Sequence, residues 1–372
     1  MTPKETSQSK PNNSDQNTRN VPPSYIPPTP NGIEIGTTTF RLDINGLTIF
    51  LDTWLERSKA HKKYINIDDV EKADYICISH AHFDHLPGAD KLAIRTGARV
   101  IGNPQTIRIL RDAGVPEDQL ICVAGGERVP LFSKEVWSKA AEGEGLAPGP
   151  RFPGAPPRPD PALASAAVDI WPSLHCLITP GSHKDEFDLT DPQPKPANEW
   201  KSTLDMNYAM RWGLLRLGKI LPPEAQQDPG MKAMIEYFED PENKFSHCDG
   251  GQLMYNFRAG GPSHNAKAIL WNAHLGCYDG IMKTVRPKPD VAILGAAGEV
   301  NLNGRPYEGS AADFLVEECE WLGYPKTVIW CLHDESPIPP YRSNTSGAKD
   351  LIESKSRCRV LDMEPARGYE LF

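Results

Sequence analysis

Tyr75-Ile76-Cys77-Ile78-Ser79-His80-Ala81-His82-Phe83-Asp84-His85-Leu86-Pro87-Gly88 is the stretch that decides the fold. It begins as a short apolar run with strand character and ends in three imidazoles and a carboxylate within six residues. Packing alone does not explain such a run, because each buried polar head without a partner costs roughly 1–3 kcal/mol. A metal ion resolves the conflict, since imidazole and carboxylate are ligands that borderline divalent metals favour. In an extended segment positions i and i+2 face one way, so His80 and His82 can share one ion. Asp84 and His85 follow a bend and can address a second.

The chain around this run is 372 residues long, enough for one elaborated domain or at most two. A net charge of -9 disfavours nucleic acid held in a basic groove. No apolar run is long enough for a transmembrane helix, so no stable membrane insertion is expected. Residues 1–32 are polar and rich in Ser, Asn, Gln, Thr and Pro, without an apolar leader core, and read as a disordered tail. The eight cysteines are scattered without a CxxC pair, and several sit in apolar runs. They read as buried free thiols in a reduced, cytoplasmic setting, with Cys176 and Cys277 close enough to candidate ligands for thiolate ligation to stay open.

Thr37 to Leu42 and Leu47 to Leu51 read as a hairpin through Asn45-Gly46, ending at Asp52. Helices are expected over Gly88 to Thr96 and Gln105 to Ala113, with strands at Arg99 to Gly102 and Gln119 to Val123. This alternation is α/β in character. Residues 132–167 contain Gly-Leu-Ala-Pro-Gly-Pro and Pro-Gly-Ala-Pro-Pro-Arg-Pro, and read as an irregular surface insertion. A second insertion, 184–245, holds four of the eight methionines with aromatics at helical spacing. It reads either as a lid over the site or as helices packed on the core or against a second copy of the chain. Strands are expected at Ala167 to Pro172, Gln252 to Phe257, Lys267 to Trp271, Pro289 to Gly295 and Thr327 to Leu332, with a helix at Ala311 to Trp321.

The run Ser79-His80-Ala81-His82-Phe83-Asp84-His85-Leu86-Pro87-Gly88 resembles the signature loop of the metallo-β-lactamase superfamily. The resemblance covers about residues 37–130, 167–182 and 250–372, and implies a four-layer αββα sandwich over residues 33–372 carrying the two insertions. It implies that His80, His82 and His175 bind a first metal, that Asp84, His85 and His333 bind a second, and that Asp52 supports the loop from behind. Where the superfamily places a bridging aspartate, this chain has His274. Three arrangements stay open: His274 ligates the second metal, the reading preferred here; the site works with one metal; or Asp279 swings in. His183 and His247 lie on expected loops as candidate substrate contacts or exposed residues, while His61 and His264 are assigned to the surface.

The implied cofactor is Zn2+, one or two ions per chain, with Mn2+ or Fe as alternatives. The implied chemistry is hydrolysis of a small molecule, in which hydroxide generated on the metal attacks a lactone, ester or amide carbonyl while Asp84 orients it and carries its proton. Within the superfamily the pattern is most similar to the ascorbate-phosphate lactonase-like branch. A phosphodiesterase acting on a lipid or small nucleotide is the second reading, and a non-hydrolytic diiron redox protein the third. Oligomeric state is left open, a homo-oligomer included.

Overall fold

The computed structural model describes residues 31–149, 152–177, 185–193, 205–259, 267–334, 336 and 341–372. Two seven-stranded sheets dominate it. The first runs in the order Gly368–Glu370, Asn31–Glu34, Phe40–Ile44, Leu47–Leu51, Tyr75–Cys77, Arg99–Gly102, Leu120–Cys122. The second runs Arg359–Leu361, Thr327–Cys331, Val291–Gly295, Lys267–Asn272, Leu253–Ala259, Ala166–Pro172, Arg128–Leu131.

The period of two along the strands explains how the layers form. Leu47, Ile49 and Leu51 point into a core shared with Ile269, Trp271, Ile293 and Ile329 of the other sheet. Phe50, Ile76 and Ile78 point the opposite way, onto Leu92, Ala93 and Leu110, which belong to the helices Ala89–Thr96 and Pro104–Asp112. On the far side Leu270, Leu294 and Trp330 meet Phe314, Leu315 and Ile352 of the helices Ala311–Trp321 and Ser346–Lys355. Helix, sheet, sheet, helix is the αββα sandwich expected from the sequence. Each fully buried leucine or isoleucine in it contributes roughly 1.5–3 kcal/mol of transfer free energy. The Asn45-Gly46 turn closes its hairpin with positive φ at both residues, +49° and +82°.

The inner strands of each sheet are parallel where they carry the site: Leu47–Leu51, Tyr75–Cys77 and Arg99–Gly102 in one, and Lys267–Asn272, Val291–Gly295 and Thr327–Cys331 in the other. Loops leaving their carboxyl ends therefore emerge along one edge of the sandwich, where open α/β sheets hold ligands.

The first insertion carries more regular structure than its composition suggests. Residues Lys134–Ala141 form a helix in the segment expected to be irregular. Ser133 caps it, its Oγ accepting from the Val136 amide at 3.3 Å. Trp137 anchors it, with Nε1 donating to the Tyr75 hydroxyl and the Arg99 guanidinium 3.6 Å over its ring. The second insertion contains the helices Asp205–Trp212, Leu217–Ile220 and Pro229–Glu239, and a strand Glu186–Asp188 paired with Arg342–Asn344.

Candidate metal centre

The strand Tyr75–Cys77 ends directly before Ser79, and the histidine loop turns out of the sheet there. Backbone bonds pin the loop on both sides: Ala81 donates to Asp249 O and accepts from the Ser246 amide, while the Leu253 amide bonds Ser79 O. His175 follows the Ala166–Pro172 strand and His274 follows Lys267–Asn272. The latter two loops are held together by Ser173, whose Oγ lies 2.8 Å from Asn272 Oδ1 and 2.9 Å from Gly276 O. Asn272 in turn donates to Glu318 Oε1 at 3.0 Å. The close approach needs Gly276, where a Cβ would stand 2.3 Å from Leu174 O.

Five imidazoles gather at this edge. His80 lies 4.5 Å from His82, 4.0 Å from His85, 5.0 Å from His175 and 4.9 Å from His274, between ring centroids. His175 and His274 are 3.7 Å apart. One nitrogen from each of His80, His175 and His274 lies within 4.8 Å of the other two. His82 joins through its Nδ1, 3.2 Å from His175 Nε2. Ligands 2.0–2.1 Å from a tetrahedral zinc stand about 3.4 Å apart, so this set fits an ion with small shifts.

The outer hydrogen bonds decide which nitrogens face inward. Asp52, buried at the end of Leu47–Leu51, has Oδ2 2.6 Å from His85 Nδ1 and receives Ser79 N and Ser79 Oγ at 2.8 Å each. Ser79 Oγ also lies 3.0 Å from His80 Nδ1. His175 Nδ1 is 3.0 Å from Cys176 O. Each of these Nδ1 atoms is thereby assigned as the N–H donor, which leaves Nε2 with its lone pair towards the centre. His80 Nε2, His82 Nε2, His85 Nε2 and both nitrogens of His274 are buried without a hydrogen-bond partner. Orphaned nitrogens on four neighbouring buried imidazoles are what a divalent cation satisfies and a packed core does not.

Electrostatics favour the neutral form at four of the five imidazoles. Burial pushes His80, His82 and His274 well below the ordinary imidazole range, and the neighbouring imidazoles push the same way. Burial also lowers His175. Neutral imidazole is the ligand form. For His85, burial is outweighed by the adjacent Asp84 and Asp52 carboxylates, which raise it to about 9. For Asp84, burial is outweighed by His85, then His82 and His175, so it falls to about 2 and stays ionised. Its Oδ2 lies 3.4 Å from His85 Nε2, and its side chain keeps 20% of its surface exposed. Asp52 is raised by burial despite His85 and Ser79.

The structure thus brings together His80, His82, Asp84, His85, His175 and His274, with Asp52 behind them. His274 joins the cluster through His80, His85 and His175, in the register where an aspartate was expected. Asp279 does not reach it: the first residue of the Asp279–Thr284 helix, it is engaged by Lys283 and Asn303. His333 does not join either. Leu332, with φ +57° and its amide on Thr37 O, turns the chain so that His333 stands with Glu34 and Asp334. His247 is exposed on the loop beside the histidine run, and His61, expected at the surface, is half-buried with its ring 4.6 Å from Trp54. His183 and His264 lie outside the described residues. Cys176 and Cys277 are buried free thiols, Cys176 being pushed up to about 12 by burial.

Sequence reasoning missed the supporting residues. Asn207 of the second insertion lies beside the His82 ring, and its Oδ1 accepts from the Asp249 amide at 3.4 Å. Tyr237 donates to Phe83 O at 2.7 Å and accepts from Trp54 Nε1 at 2.9 Å, while Phe238 packs edge-on against Phe83 at 5.1 Å. The insertion's helix Pro229–Glu239 therefore seats directly on the histidine loop.

Two sandwiched sheets with a histidine cluster at their strand ends are the metallo-β-lactamase fold. Residues 48–141 match the family described as "Beta-lactamase superfamily domain". A "UPF0173 metal-dependent hydrolase" of Anaeromyxobacter sp. strain K is 42% identical over 74 residues, 20% of this chain and 27% of that protein. One of Solibacter usitatus is 35% identical over 94 residues, 25% of this chain and 39% of that protein. The chain thus spans well under half the length of these relatives. Among solved structures it is similar to Igni18, "a novel metallo hydrolase" from the archaeon Ignicoccus hospitalis, with TM-score 0.50 and 16% identity, covering 92% of this chain and 98% of that one. At that identity the likeness is one of fold.

Proposed function

We propose that this chain is a metal-dependent hydrolase of a small-molecule carbonyl compound, with a lactone placed before an ester or amide. The observation that carries the reading is the set of four buried imidazoles, His80, His82, His85 and His274, that keep a nitrogen without a partner, gathered with His175 beside an ionised carboxylate. His80, His82, His175 and His274 would hold a divalent cation, Zn2+ before Mn2+ or Fe, and His85 with Asp84 would complete a second position. A cation there supplies Lewis acidity and lowers the pKa of a water molecule towards neutrality.

The remaining work falls to the chain's own residues. Asp84, ionised and partly exposed, accepts a proton from the attacking water and fixes its direction. Asp52 holds His85 and Ser79 in place. Phe83, Tyr237 and Phe238 form an apolar wall that limits water at one side, so the second insertion acts as part of the pocket. The named relatives are called metal-dependent hydrolases, which supports the same class. Eight cysteines, all free, fit a reducing compartment such as the cytoplasm. Among the described residues no helix is long and apolar enough to cross a membrane.

The test is a panel of chromogenic lactones, carboxyl esters and bis-phosphodiesters offered to protein loaded separately with Zn2+, Mn2+ and Fe2+. Turnover of a carbonyl substrate that disappears in a folded His82→Ala chain is expected. Turnover of the phosphodiester alone moves the reading to a phosphodiesterase, and no turnover with any metal overturns hydrolysis.

A further inference from the structure

A second group of metal-binding side chains lies outside the imidazole centre. Glu34, at the end of the Asn31–Glu34 strand, stands with His333 and Asp334, and one donor atom from each lies within 4.8 Å of the other two. Glu34 is only 1% exposed, yet its Oε2 has no hydrogen-bond partner. His333 Nδ1 and Asp334 Oδ1 are likewise buried and unpartnered. Each of these three neighbouring residues thus keeps a ligand atom that burial should have removed or paired, two of them on carboxylates.

The surrounding backbone is arranged to keep them there. The Thr37 amide donates to Asp334 Oδ2 at 2.5 Å, and the Leu332 amide donates to Thr37 O at 2.9 Å. Both Thr37 and Leu332 take φ +57°, a conformation that costs a non-glycine residue about 1 kcal/mol or more and persists only when its surroundings impose it. Arg57 is close, but its N–H groups are engaged by the carbonyls of Ile35, Gly36 and Trp54, so it does not pair directly with the carboxylates. A cavity of about 440 Å³, lined by Glu34, Arg57, His61, Tyr64, His333 and Asp334, gives access from outside.

We propose that Glu34, His333 and Asp334 form a second divalent-cation site that clamps the end of one sheet to the end of the other. Glu34 belongs to the first sheet, and His333 and Asp334 follow Thr327–Cys331 of the second, so one ion would bridge the two halves of the sandwich. Two carboxylates and one imidazole make a harder donor set than the imidazole centre, suited to Mn2+ or Zn2+. The positive charge of Arg57 makes the clamp the weaker of the two sites. The site stands apart from the hydrolytic reading, and either can fail without the other.

The test counts ions. Metal-stripped full-length protein is titrated with Mn2+, and free Mn2+ is read by electron paramagnetic resonance. Glu34→Gln, which keeps shape and removes charge, is expected to bind one ion fewer per chain than wild type, while His80→Ala keeps that ion. Asp334→Asn is run beside it, with circular dichroism as the check on folding. Pulsed resonance on wild-type protein covers the case in which neither substitution folds: the clamp gives a Mn2+ population coupled to a single imidazole nitrogen. Equal ion counts in wild type and a folded Glu34→Gln chain, or a wild-type signal with only multiple-imidazole coupling, overturns the proposal.

Discussion

Replacing Asp52 by asparagine changes one atom and should loosen the metal centre from behind. Asp52 Oδ2 sits 2.6 Å from His85 Nδ1 and 2.8 Å from Ser79 Oγ, and both present hydrogens to it. Asparagine can offer an oxygen to the Ser79 amide now bonded to Oδ1, but then places an NH2 group where Oδ2 was. Donor would face donor, so His85 must rotate or change tautomer, and Ser79 loses the bond that orients it against His80 Nδ1. The backbone is not the cause of any loss, since Asp52 has φ +48° and asparagine tolerates that region as well as aspartate does. Outer carboxylates that orient metal-bound histidines are typically worth 10–100-fold in metal affinity, about 1.4–2.7 kcal/mol. Competition for Zn2+ against a chromogenic chelator, with circular dichroism to verify folding, measures it. An affinity within twofold of wild type in a folded Asp52→Asn chain would refute the assignment of Asp52 as the orienting group.

Two further changes test the frame. Glu318 is raised to about 8, by burial against the bond from Asn272. Its folded-state value lies above the unfolded one, so the native state binds the extra proton and stability falls as pH rises from about 4.5 to 8, by up to about 1.4 kcal/mol per pH unit. Glu318→Gln, which retains an acceptor for Asn272, should flatten that slope in urea titrations between pH 5 and 8; an unchanged slope would show that Glu318 is not the group responsible. Tyr237→Phe removes the hydroxyl shared by Trp54 Nε1 and Phe83 O, leaving a buried donor unpaired at roughly 1–3 kcal/mol. Chemical denaturation should show that loss, and a change below about 0.5 kcal/mol would mean the helix Pro229–Glu239 is not anchored through this hydroxyl.

What could be read from the chain follows from range. The histidine run was legible because metal chemistry needs ligands at fixed short spacing, and short apolar runs marked most strands, while their arrangement into two sheets came with the resemblance. His175 and His274 were found by their order after strands, and Asp52 by its place at a strand end. Asn207, Ser173, Asn272, Glu318 and Tyr237 carry no local pattern, because each matters through a partner far along the chain. His333 misled for a related reason: its placement depends on the φ +57° turn at Leu332 and on Thr37, nearly three hundred residues away, as the Thr37–Asp334 separation of 297 shows. The helix Lys134–Ala141 was hidden by extending the proline-rich reading back to 132, although the prolines begin only at Pro148 and Ser133 is a good cap.

Elemental analysis of purified wild-type protein beside a His175→Ala/His274→Ala double variant, with metal counted per folded chain, tests the central claim most directly. The histidine centre predicts at least one ion per wild-type chain that the double variant loses. An undiminished count in the folded double variant, or wild-type protein that takes up no stoichiometric metal after stripping and reloading, would contradict it.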